Sequence, residues 1–155
     1  MSVIKSQRTE SQFRVISLAI EIRKEITKYI LYDFAHDGKL NFMNHLLLND
    51  ERFEILNDMR EAVGNLEMAN SIYVTTTAEY EERRLYQTKA IAYYNRLKQE
   101  LNYIVDAFPG KINLNKYVSS IKLIDEEIGL IRAWRKSDNK LKRNLICNIG
   151  DCIPI

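Results

Sequence analysis

Residues that break helices are scarce in this sequence. Its 155 residues include two prolines, Pro109 and Pro154, and five glycines. Because proline and glycine are the strongest interruptions of regular structure, the long stretches between them favour long helices. A chain of this length can bury one core without a disulfide or a metal ion to stabilise it. We therefore expect a single all-α domain.

Apolar residues recur three or four positions apart in four segments, the spacing that places side chains on one face of a helix. No segment shows the alternation typical of a strand. We predict helices over about 11–34, 50–74 and 76–108, and a fourth helix from about 113 to a point beyond Lys136. The segment 39–49 is apolar but lacks a helical period, and we predict a connection there.

Capping residues agree with three of these helix starts. The candidates are Asn49 or Asp50 for the second helix, Thr76 with Glu79 for the third, and Asn113 or Asn115 for the fourth. Each can accept a hydrogen bond from a backbone N–H of the first turn, and Thr76 with Glu79 has the spacing of a capping box. The dipeptide Pro109-Gly110 then ends the third helix.

Four amphipathic helices with short connections can bury their apolar faces together. We predict an antiparallel up-down-up-down four-helix bundle over residues 1–144. The predicted inner faces, which include Phe53 and Tyr73 in the second helix, are uniformly apolar, and this disfavours a ligand cavity in the interior. The apolar segment 145–155 has no helical period and is expected to cover a surface of the bundle or of a partner.

The sequence lacks the patterns expected of a membrane span or a signal peptide, and a structural disulfide is not indicated. No window approaches the 18 or so apolar residues of a membrane span, and the N-terminus lacks the apolar middle of a signal peptide. A cytoplasmic protein without a membrane partner is expected. A bridge between Cys147 and Cys152 would close a very short loop, so no structural disulfide is expected.

The sequence contains no constellation typical of an active site. Its two histidines, His36 and His45, do not follow a glutamate by three residues, so we predict no metal site and no cofactor. The adjacent acids Asp125, Glu126 and Glu127 diverge around a helix and are interpreted as solvated charges. Without a nucleophile motif or a phosphate-binding loop, we predict no catalytic residues and no enzyme activity.

Basic residues crowd the end of the fourth predicted helix. The set comprises Arg132, Arg135, Lys136, Lys140, Lys142 and Arg143, with Asp138 as the one opposing charge and Trp134 among them. Such charges bind polyanions by releasing counterions from phosphates. They also complement the negative end of a helix dipole without binding anything. The charge pattern leaves both readings open. A weaker basic set lies on the third helix: Arg83, Arg84, Lys89, Arg96 and Lys98.

Tyrosines are abundant, nine in all. Several fall off the predicted inner faces of the helices, and Tyr86 and Tyr93 are our candidates for an interface. A ring with a polar tip is favourable at such a surface because one side can be buried while the hydroxyl stays hydrogen-bonded.

The order of these features resembles the accessory variability determinant family of diversity-generating retroelements, over roughly residues 12–137. The most specific part is the segment Ile124–Ser137, IDEEIGLIRAWRKS, which is similar to the family's recurring helix ending with Ile-Gly, a later Trp and basic residues. The family is related in architecture to a bundle family encoded within ribosomal RNA intervening sequences.

The resemblance implies a non-enzymatic homo-oligomer, a pentamer in that family, that binds a reverse transcriptase and the template RNA or its cDNA and supports error-prone cDNA synthesis. Carried over to this chain, it makes Trp134 a packing or interface anchor, and Arg132, Arg135 and Lys136 contacts for RNA or polymerase. Lys140, Lys142 and Arg143 extend that site by charge alone. The alternative is a helical protein-protein adaptor of unknown partner with no nucleic-acid role.

Overall fold

The computed structural model describes residues 10–34 and 41–148, and these residues form four helices. They are α1 (Glu10–Lys28), which continues into a π-helical turn (Tyr29–Asp33), α2 (Phe42–Ser71), α3 (Thr77–Ala107) and α4 (Leu114–Asn148). No β-strand occurs in the described ranges. The predicted all-α fold is confirmed.

The helices pack in a ring in which each touches its two neighbours: α1 lies on α2 and α4, and α3 lies on α2 and α4. Side-chain pairs across each seam give the relative directions. Between α3 and α4, Glu81 pairs with Lys142 and Lys98 with Asp125, so residue numbers fall on α4 as they rise on α3. These two helices are therefore antiparallel.

The same test applies to the other three seams. The pairs are Gln12 with Asn70 and Ile30 with Arg52 between α1 and α2, Arg14 with Glu126 and Tyr29 with Asn113 between α1 and α4, and Ile72 with Arg83 and Glu54 with Arg96 between α2 and α3. In every seam the numbers run in opposite directions. The described residues therefore form an up-down-up-down bundle.

The core is built from apolar side chains of all four helices. Among the largest fully buried residues are Ile22, Met59, Tyr94 and Trp134, one from each helix. The inner face of α2 differs from the prediction, because Phe53 is 77% exposed while Ile55 is fully buried. Tyr73, beyond the end of α2, is also exposed. Both faces of α2 carry apolar residues at helical spacing, and only the position of the neighbouring helices decides which is covered.

Helix α2 begins earlier than the sequence pattern predicted. Of the predicted connection 39–49, residues 42–49 are helical because the helix starts at Phe42, and residues 39 and 40 lie outside the described residues. The side chain of Asn41 accepts a hydrogen bond from the backbone N–H of Asn44 (2.9 Å), and the side chain of Asn44 accepts one from the backbone N–H of Asn41 (3.2 Å). This is a reciprocal capping box that uses Asn at its third position instead of the usual Glu or Gln. Leu48, in the second turn, is fully buried and anchors the helix.

Helix α4 extends beyond Lys136, as predicted, but it also passes the predicted end of the bundle at residue 144. It continues to Asn148, into the segment 145–155 for which no helical period is expected. Residues 149–155 lie outside the described residues. Packing against α3 extends α4, since Asn139 and Lys142 still bond to α3 side chains. Cys147 is disulfide-bonded, contrary to our expectation, and its partner lies outside the described residues.

The predicted starts of α3 and α4 are confirmed, whereas α2 ends at Ser71 and not at about residue 74. Thr76 and Glu79 form the expected capping box at the start of α3. The side chain of Asn113 accepts from the backbone N–H of Lys116, at the start of α4. None of the described helices combines the length and the apolar character that crossing a membrane requires.

Replacing Asn41 by Ala tests the start of α2. We expect N41A to lower the free energy of unfolding by about 1 kcal/mol, because loss of the capping side chain leaves a backbone N–H of the first turn without its hydrogen-bond partner. Urea denaturation followed by circular dichroism measures this. The matched control is N95A, an exposed Asn inside α3, where Ala is the better helix former and stability should stay equal or rise. An unchanged midpoint for N41A would contradict this helix start.

Candidate nucleic-acid interface

Four cationic side chains meet at the outer seam of α3 and α4. Arg84 from α3 and Arg132, Arg135 and Lys136 from α4 line an open cavity of about 180 Å³, together with Asn139. We call these four cations the cation cluster. Three of them belong to the basic segment predicted from the sequence, and the structure adds Arg84 and Asn139.

The geometry of α4 explains why its members share one surface. Residues 132, 135, 136 and 139 are three, four and seven positions apart, which places them on one helix face. Trp134 and Asp138, on the opposite face, are buried against the bundle, so the basic face is turned outward. Arg84 reaches this face across the seam, where its guanidinium donates to the Tyr80 hydroxyl (3.1 Å) and to the Asn139 side-chain oxygen (3.3 Å).

The cation cluster has no ion-pair partner among the described residues. No carboxylate there lies within ion-pair distance of its four members. Other cations on the same two helices do have such partners, namely Arg83, Arg96, Lys98 and Lys142. The Nε of Arg135 is buried and has no hydrogen-bond partner. Burial, and then the positive charges of Arg84 and Arg132, lower the pKa of Arg135. Like charges held together in this way create a strongly positive local potential that an anion would relieve.

The other predicted basic residues of α4 lie beyond the cavity. Lys140 and Arg143 are exposed. Lys142 is engaged with α3, since its ammonium pairs with Glu81 (3.2 Å) and lies 5.3 Å from the centre of the Tyr80 ring. The predicted set of six is therefore divided: three residues line the cavity, two extend the same helix surface, and one bridges to the neighbouring helix.

The weaker basic set on α3 is also divided. Arg83 is buried and paired with Asp138, Arg96 pairs with Glu54 and Asp58, Lys98 pairs with Asp125, and Lys89 lies over the ring of Tyr86. Only Arg84 of this set joins the cation cluster. Sequence reasoning could not select it, because the choice depends on which α3 residue lies opposite Asn139.

The predicted interface aromatics lie deeper than expected. Trp134 is fully buried in the core, and the guanidinium of Arg83 lies 5.8 Å from the centre of its ring. As an interface anchor Trp134 is a wrong assignment, because a side chain without exposed surface cannot contact a partner. Its role is packing. Tyr86 and Tyr93 are partly buried and pack against the core.

A second polar set lies inside the bundle, between α3 and α4. Arg83 and Gln87 both bond to the carboxylate of Asp138, at 3.2 and 3.0 Å. Arg83 also donates to the carbonyl of Ile72, the residue that caps the end of α2. The prediction of a uniformly apolar interior is therefore wrong. Asp138 lies four residues after Trp134, on the inner face, and is not a solvated countercharge.

Glu127 is the most isolated of these buried groups. Its side chain is fully buried, and neither carboxyl oxygen has a hydrogen-bond partner. Burial raises the pKa of Glu127 to about 9, with a smaller contribution from the charge of Glu126. The group is therefore protonated at neutral pH. Its interpretation as a solvated charge was wrong, because residue 127 lies four and seven positions before Ile131 and Trp134, on the inner face of α4.

No family model matches this chain, and neither the curated proteins nor the solved structures include a match to it. Among the described residues there is also no group of three His, Cys, Asp or Glu side chains that could hold a metal ion. We therefore infer the function from the geometry of the bundle and from the charges of its surface.

Replacing Glu127 by Gln tests the buried carboxyl. In the unfolded chain Glu127 ionises near its ordinary pKa, but in the folded chain only near pH 9, so the folded state binds the extra proton between these values. The contribution of protonated Glu127 to the free energy of unfolding is fully present below about pH 4.5. It is lost as pH rises toward the folded-state pKa, by up to about 1.4 kcal/mol per pH unit. E127Q removes this loss.

Thermal unfolding at several pH values measures the effect. E127Q should match the native chain below about pH 4.5 and become increasingly more stable than it as the pH rises toward about 9. The control E82Q changes an exposed glutamate for which the same pH series should show no growing difference. A constant difference between E127Q and the native chain across the series would show that Glu127 is ionised in the fold.

Proposed function

We propose that the protein is a non-enzymatic accessory subunit that binds RNA through the cation cluster of α3 and α4. The observation that supports this proposal is the convergence of Arg84, Arg132, Arg135 and Lys136 on one cavity without a carboxylate at ion-pair distance among the described residues. The whole chain carries a formal net charge of only +2. A local concentration of cations on such a chain is a patch suited to a polyanion.

Phosphates are the anions that this patch suits best. The planar guanidinium presents a fork of N–H donors that matches two phosphate oxygens at once, and three of the four cations are arginines. Binding displaces condensed counterions from the nucleic acid, which supplies affinity without reading base sequence. Lys140 and Arg143 extend the positive surface, so that the stretch from Arg132 to Arg143 covers roughly 16 Å along the helix.

The resemblance to the accessory variability determinant family supplies the biological setting of this proposal. It adds a reverse transcriptase as protein partner, template RNA or its cDNA as nucleic acid, and a homo-oligomer, pentameric in that family, as the working assembly. A cytoplasmic location is part of the proposal. A reducing cytoplasm would open an accessible disulfide such as the one at Cys147.

A charge-removal experiment tests the site. The variant R132A/R135A/K136A should bind a short single-stranded oligoribonucleotide about tenfold more weakly or worse, because it lacks three of the four cations that line the cavity. Fluorescence anisotropy measures the dissociation constants. The matched control R23A/K24A/K28A removes three exposed cations from α1 and loses the same net charge. Its affinity should fall far less. Equal losses in both variants would remove the site assignment.

Salt dependence separates RNA binding from the adaptor alternative. For single-stranded RNA each phosphate contact contributes about 0.7 to the slope of log affinity against log salt concentration, so the triple variant should show a smaller slope, by about 0.7 for each contact that it loses. A protein partner bound through apolar surface would show little dependence. One surface for such a partner is a groove between α1 and α2, where Ile20, Leu31, Tyr32 and Val63 lie among the charged residues Arg23, Lys24, Lys28 and Glu67.

A further inference from the structure

The cation cluster converges on a point. Its four members belong to two helices, yet all of them line one cavity of about 180 Å³. A strand of nucleic acid presents its charges as a row, about 3.4 Å apart along each strand of a duplex. A surface that follows a strand therefore needs cations in a row, whereas donors that approach one point from several sides match a single group with high charge.

The orientation of Asn139 also favours a single anion. Its side-chain oxygen accepts hydrogen bonds from the Tyr80 hydroxyl (2.9 Å) and from Arg84 (3.3 Å). This arrangement leaves the two amide N–H groups of the same side chain to donate, and Asn139 lines the cavity. The asparagine therefore adds neutral donors between the cations, while Tyr80 holds Arg84 in place at 3.1 Å.

The chemistry of the phosphate then decides between two kinds of ligand. An internal phosphodiester carries one negative charge and two unesterified oxygens, and the strand must enter and leave the site. A terminal phosphate carries up to two negative charges and three acceptor oxygens, and the strand leaves on one side only. Cationic donors from both helices, the partly buried Arg135 and the amide of Asn139 match the second group better.

We infer that the cavity lined by Arg84, Arg132, Arg135, Lys136 and Asn139 binds the terminal phosphate of an RNA strand. This inference rests on the proposed function and specifies which part of the RNA the site holds. From the cavity the strand continues along α4 past Lys140 and Arg143, which are exposed. Arg143 lies seven residues beyond Lys136, on the same face and roughly 10 Å further along, where it meets the following internal phosphates.

The test compares one oligoribonucleotide in three forms: with a 5′-phosphate, with a 3′-phosphate, and with hydroxyl groups at both ends. The full-length protein should bind one of the phosphorylated forms at least about tenfold more tightly than the hydroxyl form, because that form adds a charge and its hydrogen bonds. Equal affinity for all three forms would overturn the inference while leaving RNA binding intact. Loss of binding to all three would overturn the proposed function itself.

Two variants distinguish the cavity from the surface beyond it. N139A removes neutral donors of the cavity, and it should abolish the preference for the phosphorylated end with little effect on binding of the hydroxyl form. R143A should weaken binding of every form by the same factor and keep the preference. The opposite pattern, with the preference lost in R143A and kept in N139A, would overturn the assignment to this cavity.

A free phosphate compound is the other source of the same chemistry. Inorganic phosphate and a nucleoside 5′-monophosphate serve as competitors of the phosphorylated oligoribonucleotide. Both should compete much more weakly than the unlabelled oligoribonucleotide, since they lack the contacts with Lys140 and Arg143. If the mononucleotide competes as strongly as the oligoribonucleotide, the ligand of the cavity is a free nucleotide and not the end of an RNA strand, and the inference is overturned.

Discussion

The buried ion pair between Arg83 and Asp138 couples the interior of this bundle to its surface. Both side chains are almost fully buried, so leaving either charge without the other would cost several kcal/mol. Only one alignment of α3 against α4 lets them meet. In that alignment Arg84, the next residue, is turned outward beside Asn139. The position of the cation cluster therefore follows from a contact that solvent does not reach.

The polar interior is unusual for a bundle whose helices carry strong apolar stripes. Asp58 is fully buried near Arg96, and burial raises its pKa to about 6. Glu127 lies beside Tyr94, whose pKa is also raised by burial and then by Glu127. Replacing such groups by apolar residues is often neutral or stabilising in other proteins. Here they restrict which side chains can face each other, so the register of the seams is better defined than Leu and Ile alone would make it.

The same ion pairs determine which surface charges remain available. On α3, three of the five basic residues are neutralised by acids of α2 or α4, and a fourth lies over a tyrosine ring. On α4, Lys142 is paired across the seam. The cations Arg84, Arg132, Arg135 and Lys136, unpaired among the described residues, lie together at the outer seam of α3 and α4. Pairing across the seams of these two helices thus leaves a local group of cations on a chain with a formal net charge of only +2.

The sequence by itself determined the features that depend on near neighbours in the chain. Helical periodicity and the Thr76–Glu79 capping box predicted α3 closely, and Pro109 ends it. The sequence pattern does not predict a cap that departs from the common residue types, such as the pair Asn41 and Asn44 at the start of α2. The end of α4 was missed as well, because it is extended by contacts with α3 and not by its own periodicity.

Only the tertiary structure decided the features that depend on distant residues. In the packed bundle Ile55 is buried while Phe53 is exposed, and Glu127 lies on the inner face of α4. Arg84 lies beside the basic face of α4. Periodicity states which residues share a face of one helix, but it does not state which face a neighbouring helix covers or how far two helices are shifted along each other. A site formed across a seam depends on that shift. The basic segment of α4 can therefore be predicted from the sequence, whereas the cavity that this segment forms with α3 cannot.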